Sequence, residues 1–337
     1  MVLPGEETIL KRYSKNPILS PKPDNWWESK AVFNCGVLYD GMGVHMLYRA
    51  VGEYEDYISR MGYAYSTDGY CFMRRGEVAI APNEKYEKFG IEDPRLVEID
   101  RKHYLVYVVP STYVRDKPEV SSALATTNDY HAFTRLGIIT KQGDDDKDVV
   151  LFPHKIKTSL ANREGTTGYF SLHRPSRWVG NEYGVDRPSI WLGEGNSLTA
   201  SQKYTLLIKP EFDWEELKIG AGPPPIKTKY GWLVIYHGLG SDNVYRAGAA
   251  VLDLERPDKV LARTRRPILQ PEEPCEKYGD VNNVVFPTGA CIIDGRLFVY
   301  YGAADKVCCL AIADLESFIA YIKKDSHVEK QLWAKIS

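Results

Sequence analysis

The sequence predicts an all-β fold, a five-bladed β-propeller with a short C-terminal helix, forming a single domain over residues 1–337. Three observations carry this. One turn–strand–turn–strand pattern recurs five times along the chain. Markers placed on it at Asn34, Asp93, Pro153, Pro223 and Pro287 are separated by 59, 60, 70 and 64 residues. No change in composition marks a linker, and the 23 tyrosines suit strands. A near-regular step with further strand candidates inside it is the signature of repeated four-stranded blades. A lone blade cannot bury both its faces, so the blades must close into a ring. A β-sandwich with a second domain accounts for the strands but not for the step.

The first copy runs Asn34-Cys35-Gly36-Val37-Leu38-Tyr39 into His45-Met46-Leu47-Tyr48-Arg49, then Arg60-Met61-Gly62-Tyr63-Ala64-Tyr65, closed by the turn Thr67-Asp68-Gly69. The second is Asp93-Pro94-Arg95-Leu96-Val97 into Tyr104-Leu105-Val106-Tyr107, with Ser122 to Thr127 after it. The third places Leu151-Phe152-Pro153-His154-Lys155-Ile156 before Tyr169 to Arg174 and Ile190-Trp191-Leu192. The fourth places Pro223-Pro224-Pro225-Ile226 before Trp232 to His237 and Ala247 to Leu252. The fifth places Phe286-Pro287-Thr288-Gly289 before Leu297 to Tyr301 and Val307 to Ala313. The run Gly143-Asp144-Asp145-Asp146-Lys147-Asp148 reads as a solvated acidic loop between blades. Leu10 to Leu19 supplies a strand that closes the ring. Leu315 to Ile322 reads as the helix, with Asp314 as N-cap and Lys323-Lys324 at its negative end.

Composition excludes several classes. Apolar residues at 44% support a sizeable core, and a net charge of −2 gives no footing for nucleic acid or a membrane surface. No run approaches 18 apolar residues, and Met1 to Glu7 lacks the basic and apolar regions of a secretory signal. The six cysteines form no C-x-x-C pair, which leaves no zinc or redox dithiol signature. The expectation is a cytoplasmic protein with reduced thiols, no metal and no partner on nucleic acid or membrane. A homo-oligomer is left open.

Glu92-Asp93-Pro94-Arg95 is the most chemically suggestive stretch. Alone it reads as a surface turn with an ion pair. In a propeller, however, equivalent ends of the blades meet at one mouth of the axial channel. The repeat gathers Asn34, Arg49, Asp93, Arg95, Lys155, Arg174, His237 and Asp305 there, with Tyr236, Tyr245 and Tyr301 as walls. A few acids among several cations suit an anionic ligand, with phosphate the foremost choice.

Gly90-Ile91-Glu92-Asp93-Pro94-Arg95, Phe152-Pro153-His154-Lys155, Leu172-His173-Arg174-Pro175, Tyr236-His237-Gly238 and Tyr301-Gly302-Ala303-Ala304-Asp305 together resemble glycoside hydrolase family 130. The resemblance runs from about Arg12 to Ile322. It implies a five-bladed propeller and inverting phosphorolysis of β-mannosides to α-mannose 1-phosphate and a shortened acceptor. It implies Asp93 as general acid, acting through a sugar hydroxyl, and Lys155, Arg174 and His237 as the phosphate site. It implies Asn34, Arg49, Tyr245 and Asp305 around the transferred mannose, with Arg60 and Arg95 in support and Glu92 bracing the turn. Its partners are a β-mannoside oligosaccharide and inorganic phosphate as co-substrate, with no other cofactor. An inverting hydrolase requires a second carboxylate to activate water, whereas phosphate is already a nucleophile. The three cations therefore favour a phosphorylase over a β-mannosidase on the same fold, and the acid facing them disfavours a non-catalytic sugar-binding propeller. Residues Thr158 to Thr167 lengthen one hairpin relative to the family pattern and are expected to shift Arg174. Rim segments Glu53 to Tyr57, Tyr113 to Glu119 and Arg177 to Tyr183 would set linkage and acceptor.

Overall fold

The computed structural model describes residues 9–114, 117–160 and 165–326, with side chains left undescribed at 111–114 and 117–118. Five antiparallel sheets follow one another along the chain. From inner to outer strand, blade I is Ala31–Tyr39, Val44–Val51, Arg60–Ser66 and Met73–Arg74. Blade II is Glu92–Ile99, Lys102–Val114, Lys117–Thr127 and Thr134–Ile138. Blade III is Asp146–Leu151, Thr167–Pro175, Ile190–Gly195 and Lys203–Ile208, with Ile156–Lys157 as a side ribbon. Blade IV is Lys218–Ala221, Gly231–Leu239, Tyr245–Leu252 and Val260–Arg263, with Ile226–Thr228 paired to its second strand. Blade V is Val285–Ile293, Arg296–Ala303 and Val307–Asp314, and its outer strand is Lys11–Arg12 from the N-terminal end. The expected strand that closes the ring is therefore present.

The core lies between blades. Val32 and Met46 of blade I pack with Phe298 and Leu310 of blade V. Leu47 and Met61 pack with Leu96 and Leu105 of blade II. Val97 and Val106 meet Val149 and Leu151 of blade III. Val150 and Leu172 meet Val234 and Ala250 of blade IV. Leu233 and Ile235 meet Val285 and Val299 of blade V. Alternate residues of one strand thus serve opposite neighbours, which is the period-two pattern of a sheet buried on both faces.

Four blades share an internal clasp. A buried glutamate just before the inner strand accepts from a tyrosine of the second strand and an arginine of the outer strand. The sets are Glu28 with Tyr48 (2.8 Å) and Arg74 (3.1 Å), and Glu87 with Tyr107 (2.6 Å) and Arg135 (3.3 Å). They continue as Glu215 with Tyr236 (3.1 Å) and Arg263, and Glu276 with Tyr301 (2.7 Å) and Arg12 (2.8 Å). All four carboxylates have no exposed surface. Because Arg12 arrives from the N-terminal strand, the last clasp also locks the ring shut.

The helix Leu315–Asp325 is capped as expected, with Ser317 N–H donating to Asp314 at 2.8 Å. Its buried Phe318, Ile319 and Ile322 join the layer between blades IV and V. No helix among the described residues is long and apolar enough to cross a membrane.

Candidate active site

Three inner strands open with the same irregularity. Register shifts lie between Phe33 and Gly36, Glu92 and Arg95, and Lys147 and Val150, each a β-bulge one residue long. The residue after the first position of each bulge is left-handed: Asn34 (φ 46°), Asp93 (φ 48°) and Asp148 (φ 60°). Asn and Asp tolerate this conformation better than other non-glycine residues. A bulge re-aims a side chain, and these three aim at a common site. Pro94 follows Asp93 and keeps that backbone from donating a ladder hydrogen bond.

Around Asp93, Asn34 Nδ2 donates to Oδ1 at 2.9 Å and Arg49 Nη1 approaches the same oxygen at 3.4 Å. Arg49 also pairs with Glu92 at 2.6 Å and donates to Ser59 Oγ at 2.8 Å. Glu92 is thus tied to the second strand of blade I through Arg49. Burial raises its pKa against the opposing pull of Arg49, with Asp93 raising it further. Gly302 presses on Asn34: a Cβ there would stand 2.0 Å from Asn34 Oδ1. Asp305 also has a left-handed backbone, φ 49°. Burial pushes its pKa up to about 7; Arg49 opposes this, while Asp93, Asp280 and Glu92 add to it.

Beside the acid lies a cationic group. Arg95 is fully buried, donating to Gly222 O (2.6 Å) and to the backbone oxygen of Asp93 (2.9 Å). Arg174 holds Asp148 through Nε (3.0 Å) and Nη2 (2.7 Å) and donates from Nη1 to Ser176 (2.8 Å). His237 Nε2 is 3.5 Å from Asp148, and its ring packs on Phe286 at 4.2 Å and Tyr245 at 6.0 Å. Lys218 sits over the Tyr245 ring at 5.3 Å. Burial lowers the Lys218 pKa to about 8, and the charges of Arg174 and Lys147 add to that. Burial likewise raises Tyr245 to about 12.

Eight buried polar side-chain atoms have no hydrogen-bond partner among the described residues, and four of them lie here: Asn34 Oδ1, Arg95 Nη2, Asp148 Oδ1 and His237 Nδ1. Unsatisfied buried polar atoms are costly, and half of those found gather here, with Arg95 Nη2 and Asp148 Oδ1 forming an ion pair at 3.7 Å.

Of the expected site residues, Asn34, Arg49, Asp93, Arg95, Arg174, His237, Tyr245 and Asp305 come together. Lys155 does not. Its side chain is 39% exposed, and its ammonium pairs with Asp100 at 3.3 Å and lies over Tyr169. Asp100 follows the far end of the strand that Asp93 begins, so Lys155 belongs to the opposite face of the ring. The cause is the marker. Pro153 follows the inner strand of blade III, whereas Asn34 and Asp93 begin theirs. The acidic run Gly143 to Asp148 is not a solvated loop: Asp146–Leu151 is that inner strand, and Asp146 and Asp148 are buried. Arg60 also stays apart. It pairs in register with Ala50, the neighbour of Arg49, so it points to the other side of the blade. There it donates to Ile58 O at 3.0 Å and covers the Trp26 ring at 4.8 Å. The lengthened hairpin does not reach Arg174: Ile156–Lys157 pairs with Thr167 and Gly168, at the other end of the strand, and residues 161–164 lie outside the described residues. Residues missed from sequence are Lys147, Asp148, Lys218 and Phe286.

At the rim, Tyr54 stacks on Tyr57 at 6.0 Å, and Tyr54 OH donates to Asp280 of blade V at 2.6 Å. Trp178 stacks on Tyr183 at 5.6 Å. Residues 115–116 of the segment Tyr113 to Glu119 lie outside the described residues, and the side chains of 113, 114, 117 and 118 are likewise undescribed. Three or more His, Cys, Asp or Glu side chains able to hold a metal do not gather anywhere among the described residues.

The fold is a five-bladed propeller whose site sets several carboxylates beside a group of basic side chains, an arrangement suited to a polar, anionic ligand. Comparison with known proteins is more specific. The profile of glycoside hydrolase family 130, described as beta-1,4-mannooligosaccharide phosphorylase, matches residues 5–324. A 1,2-beta-oligomannan phosphorylase of Thermoanaerobacter sp. is 39% identical over 313 residues, 91% of this chain and 98% of that protein. A beta-1,2-mannobiose phosphorylase of the same organism is 35% identical over 319 residues, again 91% and 98%. The solved beta-1,2-mannobiose phosphorylase from Listeria innocua, in complex with beta-1,2-mannobiose, superposes with a TM-score of 0.80 at 28% identity, covering 94% of this chain and 99% of that one. The chain belongs to glycoside hydrolase family 130.

Proposed function

We propose that this enzyme is a β-mannoside phosphorylase acting on β-1,2-linked mannosides, with Asp93 as general acid. The observation that carries the reading is the placement of the Asp93 carboxyl, tied to Asn34 and Arg49, beside Arg174, His237 and Lys218, which arrive from two other blades. The β-1,2 linkage rests on the relatives at 39% and 35% identity that are named for it.

Phosphate held by Arg174, His237 and Lys218 attacks the anomeric carbon of the terminal mannosyl unit. The bond to the glycosidic oxygen breaks with inversion. That oxygen takes up a proton supplied by Asp93, relayed through a sugar hydroxyl. The products are α-mannose 1-phosphate and the shortened acceptor. The cations position a nucleophile that needs no base, so no second carboxylate has to activate water. Asn34, Arg49, Tyr245 and Asp305 hold the transferred mannose, and Arg95 fixes the backbone of Asp93. Tyr57, whose ring is 5.7 Å from the Arg49 guanidinium, forms part of the acceptor wall.

The test is synthesis. α-Mannose 1-phosphate is offered with mannose, glucose, N-acetylglucosamine and short β-mannosides, and released phosphate is measured. Release with mannose or a β-1,2-mannoside as the preferred acceptor, and a β-1,2 bond in the product, supports the reading. Cleavage of β-1,2-mannobiose at the same rate without phosphate overturns it in favour of hydrolysis.

A further inference from the structure

Asp148 is a buried carboxylate in the middle of what is read above as an anion site, where repulsion would weaken phosphate binding. We propose that Asp148 is a positioning residue that presets Arg174 and His237 for phosphate and ties them to the backbone of the acid. The inference rests on the phosphate site proposed above.

Three observations carry it. First, Asp148 occupies the same place in its bulge as Asn34 and Asp93, so the fold aims it at the site as it aims the acid. Second, its carboxylate meets basic groups from three blades: Arg174 at 2.7 and 3.0 Å, the His237 ring at 3.5 Å and Arg95 at 3.7 Å. Arg95 in turn donates to the backbone oxygen of Asp93 at 2.9 Å. With Nε and Nη2 committed to Asp148 and Nη1 to Ser176, Arg174 keeps two of its five N–H donors for a ligand. Third, blade IV gives way to this contact. A Cβ on Gly220 would stand 2.5 Å from Asp148 Oδ2 and 2.6 Å from His237 Cε1, so only glycine lets the two approach. Burial alone would raise the Asp148 pKa, yet Arg174 and His237 hold it well below the ordinary value. The carboxylate is therefore ionised, and the basic groups it holds are already gathered before phosphate arrives.

The experiment measures phosphorolysis of β-1,2-mannobiose by Asp148→Asn, with phosphate and mannobiose varied separately. Loss of charged hydrogen bonds to Arg174 predicts a rise of about tenfold or more in the KM for phosphate. The KM for mannobiose stays within about twofold. Gly220→Ala, which forces Asp148 and His237 apart, shows the same split and provides the readout should Asp148→Asn fail to fold. An unchanged phosphate KM in either folded variant, or equal rises for both substrates, overturns the inference. Wild-type enzyme that cleaves without phosphate overturns the phosphate site itself, which is a different result.

Discussion

Asp305 places a measurable load on the folded enzyme. Its pKa rises from an ordinary value of 3.8 to about 7, chiefly by burial, with Asp93, Asp280 and Glu92 outweighing the opposing charge of Arg49. Folded Asp305 thus holds its proton to a higher pH than the unfolded chain does. Its contribution to stability is fully present below about pH 4 and is lost as pH rises through about 7. Each pH unit over which the two states differ by one proton costs about 1.4 kcal/mol. Across this window the loss accumulates to about 4 kcal/mol. Asp305→Asn removes the titration while keeping the shape. The variant should match wild type to within its baseline difference near pH 4 and become progressively more stable than wild type up to pH 8, by up to about 4 kcal/mol. Urea unfolding of both proteins at a series of pH values measures this, with midpoints compared at a common m-value. A stability difference that stays flat between pH 4 and pH 8 refutes the reasoning. So destabilising a carboxyl is retained, on this account, for the sugar hydroxyl it meets, and the variant should gain stability while losing turnover.

Asp93→Asn should fold as wild type by circular dichroism and lose phosphorolysis; normal turnover would remove Asp93 as the acid. Lys218, with a pKa near 8, should bind phosphate as the ammonium. The wild-type KM for phosphate should then climb above pH 8, approaching tenfold per unit, and Lys218→Met should raise it at pH 7 and flatten that climb. Lys155→Ala serves as the contrast and should leave the phosphate KM unchanged, because its ammonium pairs with Asp100 at the other face. Glu276→Ala removes the buried carboxylate that Arg12 and Tyr301 share at the ring closure, leaving Arg12 with Glu272 and Gln270 O, and should cost about 3 kcal/mol, seen as a lowered Tm, with the catalytic constants of the folded enzyme little changed.

The propeller was legible because blades I, II and V announce themselves. Each has an inner strand that begins at its turn motif and runs into apolar alternation, as Glu92–Ile99 does. Blades III and IV do not. The inner strand of III opens Asp146-Lys147-Asp148, which in sequence is indistinguishable from a solvated turn, and only Val149, Val150 and Leu151 look like strand. The inner strand of IV is four residues, Lys218–Ala221, too short for a period to show. In both, the proline-bearing segment that drew notice lies after the inner strand. That displacement put Lys155 in the site and left Lys218 and Asp148 out. Arg174 and His237 escaped the error because they sit on long second strands whose ends were read correctly. The clasp of Glu28, Glu87, Glu215 and Glu276 could have corrected the frame. Each lies 3 to 9 residues before its inner strand, so Glu215 points directly at Lys218.

The site exists because equivalent places in the ring are allowed to differ. Asn34, Asp93 and Asp148 occupy matching bulges, yet one is an amide, one the proposed acid and one a clamp on cations. Blade IV offers Gly220 at the place facing them, and its missing side chain admits His237 and Asp148 to each other. Blade V has its own register shift between Pro287 and Gly289, and Thr288 within it donates to the backbone oxygen of Cys35 in blade I at 2.9 Å. That fifth position is spent on joining neighbours rather than on chemistry. Symmetric substitution would therefore be ruinous: an aspartate at Asn34 would set two carboxylates against each other where Nδ2 now donates to Asp93 at 2.9 Å. Like charges so close cannot both ionise. The amide keeps Oδ1 of Asp93 hydrogen-bonded while leaving proton exchange to a single carboxyl, which is what an acid that must donate and then recover its proton requires.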